Sequence, residues 1–565
     1  MKETRSHLVA LLGYIDVFGE DSNTSAIDLI RDLPSLELIR NVSWINFMLF
    51  INEGRDSIYP TQIALLTELL KNASNTDKEI FTVPFEKFRR QNGLGMYFNR
   101  KSNLKMYDLI FTAWNHSSPR TFTSEESVRF LKAFLLINTE ILANIKIDDE
   151  AFEKAKNSED EMTELMMAKF IHQLDYTRNH DFVIQTARGS LFFDYLSNSV
   201  ELKDFFYKYL KWLRVENGDE YLYNIIMLIT IALPGSQYGQ KSQIVNLGSF
   251  RGKINFRVLS RLAINNNVLG YIASENFTTL RKYPIFYCNN MSYVILDMTF
   301  LIDKLYRNFV FTFKEYIESQ GYIGNFLSTK GKKFTEEILF YTLILRCFKQ
   351  GKYKLFSGKM IEEQSNVELC DYYIRSNNNI ALIELKDVLL DFASKNIGTT
   401  EGLFPKMDLK FQSNQASSPK GVKQLALAIE KISSGISFDE LDSSNYNIYP
   451  IITYTDSTFG FNGVNRRYEK LFREILPSLK ISDRFTVKPL VFINISFFEF
   501  FENALHNEMF DFFSLVDEYY EHIKKSNYEI VPFEVFVGGY VEEKGIKTGL
   551  SKLGQEKTAK IVRGR

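Results

Sequence analysis

The sequence predicts an α+β / α/β protein: a large, mostly helical N-terminal region followed by an α/β domain with a mixed central sheet. Three observations predict it. Up to about residue 325 the apolar residues recur mainly at three- and four-residue steps, the helical period. Gly321 to Lys333 is Gly- and Lys-containing with little periodicity and marks the main boundary. Beyond it the order becomes helix, three strand-like runs, helix, strand, which can enclose a core of its own. The 565 residues are therefore divided into a helical domain at 1–180, a mostly helical domain with a β-hairpin at 181–325, an α/β domain at 326–540 and a basic tail at 541–565.

In chain order, Pro60-Thr61 opens a helix through Leu70, since proline is tolerated in a first helical turn. Thr123 with Glu126 forms a capping-box pattern ahead of a helix through Ile145. Ala151 to Leu174 is a Met-rich amphipathic segment whose Met162, Met166 and Met167 are expected to fill a core. Gly235 to Lys241 lacks phosphate-loop spacing and is expected to be a turn. Tyr283 to Cys288 and Met291 to Leu296, joined at Asn289-Asn290, predict a β-hairpin. Ile302 to Tyr316 returns to helix.

In the last third, a helix is expected at Phe334 to Phe348, then strands at Tyr353 to Ile361, Val367 to Arg375 and Ile380 to Val388. An irregular stretch at 391–419 leads to a helix at Lys420 to Ile432. A strand at Asn447 to Tyr454, a helix at Val464 to Leu476 and a strand at Leu490 to Ile495 complete the order.

Composition constrains the setting more than the function. Lys+Arg 68 against Asp+Glu 69 gives a net charge of −1, so no global basic field marks a nucleic-acid binder. Three cysteines, each in an apolar run, cannot form a disulfide framework or a zinc cage, and a reducing, cytoplasmic setting is expected. The longest apolar run, Ile225 to Leu233, is about half a membrane span, so a soluble chain with no membrane partner is expected. The six histidines lack metal-ligand spacing. The tail from Lys544 holds seven Lys/Arg against the single acid Glu556, and could touch a phosphate backbone or simply be solvated.

The meander carries the chemistry. In Ile380-Ala381-Leu382-Ile383-Glu384-Leu385-Lys386-Asp387, alternation puts Ile380, Leu382, Glu384 and Lys386 on one face of a strand. Two ionisable groups then interrupt an apolar face, which is costly unless they are paired or bind an ion. Ser376-Asn377-Asn378-Asn379 is a strong turn signal because Asn tolerates positive φ. A turn about Asn377 and Asn378 sets Asp371 directly across from Glu384. Two carboxylates so placed repel unless a cation lies between them, and Mg²⁺ takes this kind of oxygen ligation.

Asp371, a spacer of 12 residues, and Glu384-Leu385-Lys386 resemble the PD-(D/E)xK motif of the restriction-endonuclease-like nuclease superfamily. The resemblance covers Gly331 to Asp456. It departs from the motif's name in that Cys370, not proline, precedes Asp371, and in the long stretch 391–419. A helix before the meander often contributes an acidic residue in that family. Here Glu336 and Glu337 are available, and Glu337 is preferred because it shares the helical stripe of Phe334, Tyr341, Leu345 and Phe348. A helix after the third strand often carries Gln or Lys, which points to Gln424.

The resemblance implies a restriction-endonuclease-like domain that cleaves phosphodiester bonds. Asp371 and Glu384 would bind Mg²⁺ or Mn²⁺, with Glu337 assisting. Lys386 would act on the attacking water or the phosphate, and Gln424 would position substrate. Its implied partner is nucleic acid, DNA before RNA, together with a protein partner or a second copy. By analogy, a helical region fused to such a nuclease resembles prokaryotic anti-phage and restriction proteins, with the helical part as sensor. Two alternatives stay open: a non-catalytic scaffold subunit of a defence complex, and an RNA-cleaving nuclease.

Overall fold

The computed structural model describes residues 8–177, 180–235, 244–250, 252–265, 270–289, 291–413, 416, 418–435, 438–525, 529–546, 549 and 551–563. The sequence-predicted features at Asn290, at most of the Gly235 to Lys241 turn, and at His7, Lys547 and Arg565 lie outside these residues. Among the described residues no helix is long and apolar enough to cross a membrane.

The chain divides into two compact units. One comprises Met1–Lys146, Asn179–Tyr322 and Lys560–Arg565, and the other Ile147–Arg178 and Ile323–Ala559. The main boundary thus falls between Tyr322 and Ile323, at the start of the aperiodic stretch. Most of the predicted 1–180 and 181–325 domains fall together in the first unit, apart from 147–178. That segment belongs to the second unit, where its helix, Glu159–Phe170, buries Met167 and Ala168 in one apolar cluster with Leu403, Met407 and Leu425.

The first unit is mostly helical. Its longest helix, Ser124–Ile145, starts at the predicted capping box: Glu126 N–H donates to Thr123 Oγ1 at 3.3 Å, and Thr123 N–H to Glu126 Oε2 at 2.9 Å. The Pro60 helix begins earlier than expected, at Arg55, and carries Pro60 inside it. Ile285–Asn289 and Ser292–Ile295 pair antiparallel within a four-stranded sheet, with Met291 at φ 64°. A second, parallel pair joins Leu8–Leu11 to Gly93–Met96. Buried Asn138 fastens it by donating to Leu12 O at 2.8 Å and Tyr97 O at 2.9 Å, as a buried amide must.

The second unit is built on a six-stranded mixed sheet. Its strands are β1 (Lys354–Ser357), β2 (Tyr372–Ser376), β3 (Asn379–Lys386), β4 (Tyr446–Tyr454), β5 (Phe485–Val487) and β6 (Val491–Asn494). β1, β2 and β3 form an antiparallel meander, and β4 runs parallel to β3. β5 and β6 pair in succession along the other side of β4. Two helices frame the site described below: α1 (Lys330–Phe340), before the meander, and α2 (Val422–Ser433), between β3 and β4.

Alternation along the strands makes two packed faces. Tyr373, Ile380, Leu382 and Ile452 join Leu425 and Ile429 of α2 in a core that also takes the helices Thr400–Phe411 and Val464–Ile475. On the opposite face the Tyr372 ring meets Phe340 of α1 edge-on at 5.2 Å, and Phe340 meets Phe498.

Two local expectations are corrected, and the helix expected before the meander is present with an added detail. The first strand is shorter than predicted because Ser357 caps a helix, Gly358–Ser365, accepting from Met360 N–H at 3.3 Å. The stretch 391–419 is largely helical, with helices at Phe392–Asn396 and Thr400–Phe411. The helix before the meander starts with π-type hydrogen bonding, as in Tyr341 N–H to the Glu336 carbonyl, five residues back.

Candidate functional site

The β2–β3 hairpin turns at Asn377, at φ 51°, and Asn378. Its ladder runs from Ser376 opposite Asn379 to Tyr372 opposite Ile383. Asp371 directly precedes the strand, one position beyond the last ladder pair, and Glu384 directly follows Ile383 on the partner strand. Asp371 is tied there by two contacts. Its Oδ2 accepts the Leu385 N–H at 2.6 Å, and its carbonyl accepts the Gly358 N–H at 2.7 Å. Only glycine suits position 358, since a Cβ there would lie 2.7 Å from the Cys370 carbonyl oxygen.

Glu384 and Lys386 stand on the face of Ile380 and Leu382, beside Ile452 and Tyr454 of β4. Both are buried, at 4% and 8% exposure, so neither charge is relieved by water. They pair instead: Lys386 Nζ donates to Glu384 Oε1 at 2.6 Å. Lys386 also donates to Gln424 Oε1 at 2.9 Å. The same oxygen accepts the Gly421 N–H at 2.8 Å, at the start of α2. Gly421 holds a positive φ of 43°, and a Cβ on it would come 2.8 Å from the Phe411 carbonyl oxygen. The end of the 391–419 stretch therefore delivers Gln424 to Lys386.

The acids are electrostatically unfavourable where they stand. Burial, followed by repulsion from Glu384 and Glu336, pushes Asp371 well above the usual carboxylate range. Burial also raises Glu384, against the opposing pull of Lys386. Glu336 is raised by burial and by Glu384, with Lys332 opposing. Three carboxylates thus share one field, with Lys386 as the buried cation among them. Among the described residues, however, no three or more His, Cys, Asp or Glu are grouped so as to hold a metal ion.

The preferred Glu337 is not the glutamate that acts on Asp371 in this structure. Glu337 is engaged with Lys333 Nζ at 2.8 Å, whereas Glu336 interacts with Asp371 and Glu384. The cause is helical pitch. The buried positions of α1 are Lys330, Phe334, Thr335, Leu339 and Phe340, an advance of about five residues. A stripe drawn at 3.6 residues per turn predicts the wrong neighbour. Nothing in Glu336-Glu337 signals this pitch, so sequence periodicity alone could not find it.

Asp387 is a further site neighbour that was not singled out. Its carboxylate joins Lys330, Thr335 and Thr455, which lie far apart in sequence. Elsewhere, His180 is held by Asp303 and by Arg307 at 3.1 Å, a saturated arrangement without metal spacing. Comparison of the chain with protein-family models, curated proteins and solved structures gives no match.

Proposed function

We propose that the second unit hydrolyses phosphodiester bonds in nucleic acid, with DNA as substrate, using a divalent cation at Asp371 and Glu384. One observation carries this reading: two mutually repelling carboxylates at the end of one hairpin, both raised by burial, beside a buried lysine that contacts one of them. Such a pair is poorly compensated by one lysine and gains from a hard cation. Mg²⁺ and Mn²⁺ fit the oxygen donor set, because such ions use one or two carboxylates and complete their shell with water and phosphate. When bound, the cation supplies Lewis acidity toward the phosphodiester.

The chain's own groups have separable tasks. An ammonium has three donors. Glu384 and Gln424 each take one from Lys386, which leaves one for the scissile phosphate or the attacking water. That donor acts where negative charge grows in the transition state. Gln424 fixes the lysine's direction through its own bond to Gly421. Glu336 adds negative charge at the edge of the pair. The order of helix, antiparallel meander, helix and parallel strand agrees with the restriction-endonuclease-like resemblance and supports the same reading.

The test is cleavage of plasmid, linear DNA, single-stranded DNA and RNA by the full-length chain, with Mg²⁺, Mn²⁺ or EDTA. Cation-dependent DNA cleavage, lost in Asp371→Ala and Lys386→Ala, is the expected result. Each loss should be on the order of 100-fold or more, as for removal of a preorganised charge-stabilising group. Cleavage that persists in both variants would sink the site, and cleavage confined to RNA would replace the substrate.

A further inference from the structure

Asp387 directly follows Lys386 at the end of β3. Its Oδ2 accepts from Lys330 Nζ at 2.6 Å and from Thr335 Oγ1 at 2.7 Å, and its Oδ1 accepts from Thr455 Oγ1 at 2.8 Å. Thr455 N–H in turn donates to the Lys386 carbonyl at 3.3 Å. One carboxylate therefore binds α1 to the ends of β3 and β4, next to the residue that contacts Glu384.

Lys330 and Thr335 reach the same oxygen although they are five residues apart. On an α-helix at 100° per residue such side chains leave the axis about 140° apart. With bonds running from i to i+5, residues at that spacing return to nearly the same face. The shared oxygen and the π pitch of α1 thus belong together. With this pitch Glu336, adjacent to Thr335, lies within the electrostatic reach of Asp371 and Glu384, and Glu337 pairs with Lys333.

We propose that Asp387 is a positioning residue: by gathering Lys330 and Thr335 it keeps α1 in its π pitch, and so selects Glu336 over Glu337 as the carboxylate facing the Asp371–Glu384 pair. This rests on the reading of that pair as a divalent-cation site. Asp387 itself touches neither substrate nor cation and acts through the helix.

The test is Mn²⁺ binding to the full-length chain by titration calorimetry, with melting curves alongside. It compares the wild type with Asp371→Ala, Glu336→Gln, Glu337→Gln, Thr335→Val, Asp387→Asn and the double variant Thr335→Val/Glu336→Gln. Thr335→Val keeps the Lys330–Asp387 ion pair, so it reports on positioning even where Asp387→Asn impairs folding. Glu336→Gln, Thr335→Val and Asp387→Asn are each expected to weaken Mn²⁺ binding about 10-fold, as supporting residues around a metal do. Glu337→Gln should leave it unchanged, and the double variant should be no weaker than Glu336→Gln alone. Unchanged affinity in Thr335→Val, or losses that multiply in the double variant, overturns the positioning role while Asp371→Ala still reports on the cation site. Mn²⁺ binding that is absent in the wild type, or unaffected in Asp371→Ala, overturns the cation site and this inference with it.

Discussion

Asp371 and Glu384 occupy a place where strand packing favours neutral side chains, and that has a cost at neutral pH. A carboxyl group whose folded pKa is raised above its unfolded value contributes stability only while protonated, and that contribution is lost as pH rises through the folded pKa. For Asp371, raised by burial and by Glu384 and Glu336, the fold therefore carries a penalty at pH 7–8. Asp371→Asn, whose amide oxygen can still accept the Leu385 N–H, should remove it. We expect the variant to be more stable than wild type by about 0.5–2 kcal/mol at pH 8, with the advantage shrinking as the pH approaches the ordinary carboxylate value of 3.8. Melting curves across pH check this, and Mn²⁺ should raise the wild-type melting temperature but not the variant's. At this scale Asp371, Glu384 and Lys386 were legible in the sequence, because strand alternation is a strict period of two and the Asn turn set the register. Glu336 was not, since its orientation depends on a helical pitch that side-chain types do not encode. Asp387 was not either, because its partners Lys330, Thr335 and Thr455 come together only in the fold.

The elements around the site are placed by backbone contacts that leave no room for a side chain. Gly358 brings a capped helix against Cys370 and Asp371, and Gly421 starts α2 against Phe411. Gly421→Ala adds both a strained positive φ and a Cβ 2.8 Å from a carbonyl oxygen, so the start of α2 must shift. About 1–3 kcal/mol of destabilisation is expected from the backbone conformation, read from the denaturant midpoint. Cleavage should fall further than stability does, because Gln424 leaves Lys386 as the helix start moves. A variant that cleaves normally would show that Gln424 does not orient the lysine. The strands β3 and β4 and the helix Val464–Ile475 were legible from apolar runs and helical period. The first residues of the helix Gly358–Ser365 were read as the end of a strand-like run, Tyr353 to Ile361, and the capping by Ser357 ends the strand before them.

For the whole molecule, the unequal division predicted near residue 325 falls at Tyr322 and Ile323, yet the units are not consecutive in sequence. Residues 147–178 leave the first unit to complete the second. Met167, Ala168 and Ile171 are all at most 1% exposed within the cluster that holds Met407, Phe404 and Leu425. The segment is further fastened by Lys395 to Asp175 at 2.8 Å and by Arg466 to Asp160 at 2.9 Å. A fragment spanning 323–559 should therefore expose apolar surface and aggregate, whereas co-expression with a peptide of 147–178 should recover soluble material. Sedimentation and near-ultraviolet dichroism of the two preparations check this. A well-folded 323–559 fragment would show that the segment is dispensable. Domain boundaries of this kind are invisible to composition, since Ala151 to Leu174 carries the same amphipathic signature whichever core receives it.

This interleaving bears on how the chain is made. On the ribosome, the helix Glu159–Phe170 emerges long before the strands and helices that bury Met167 have been translated. Its apolar side must wait, uncovered, until synthesis has passed beyond Leu425. During that interval the nascent chain is a natural client for chaperones. Pausing of translation between 178 and 425 should influence yield more than pausing elsewhere.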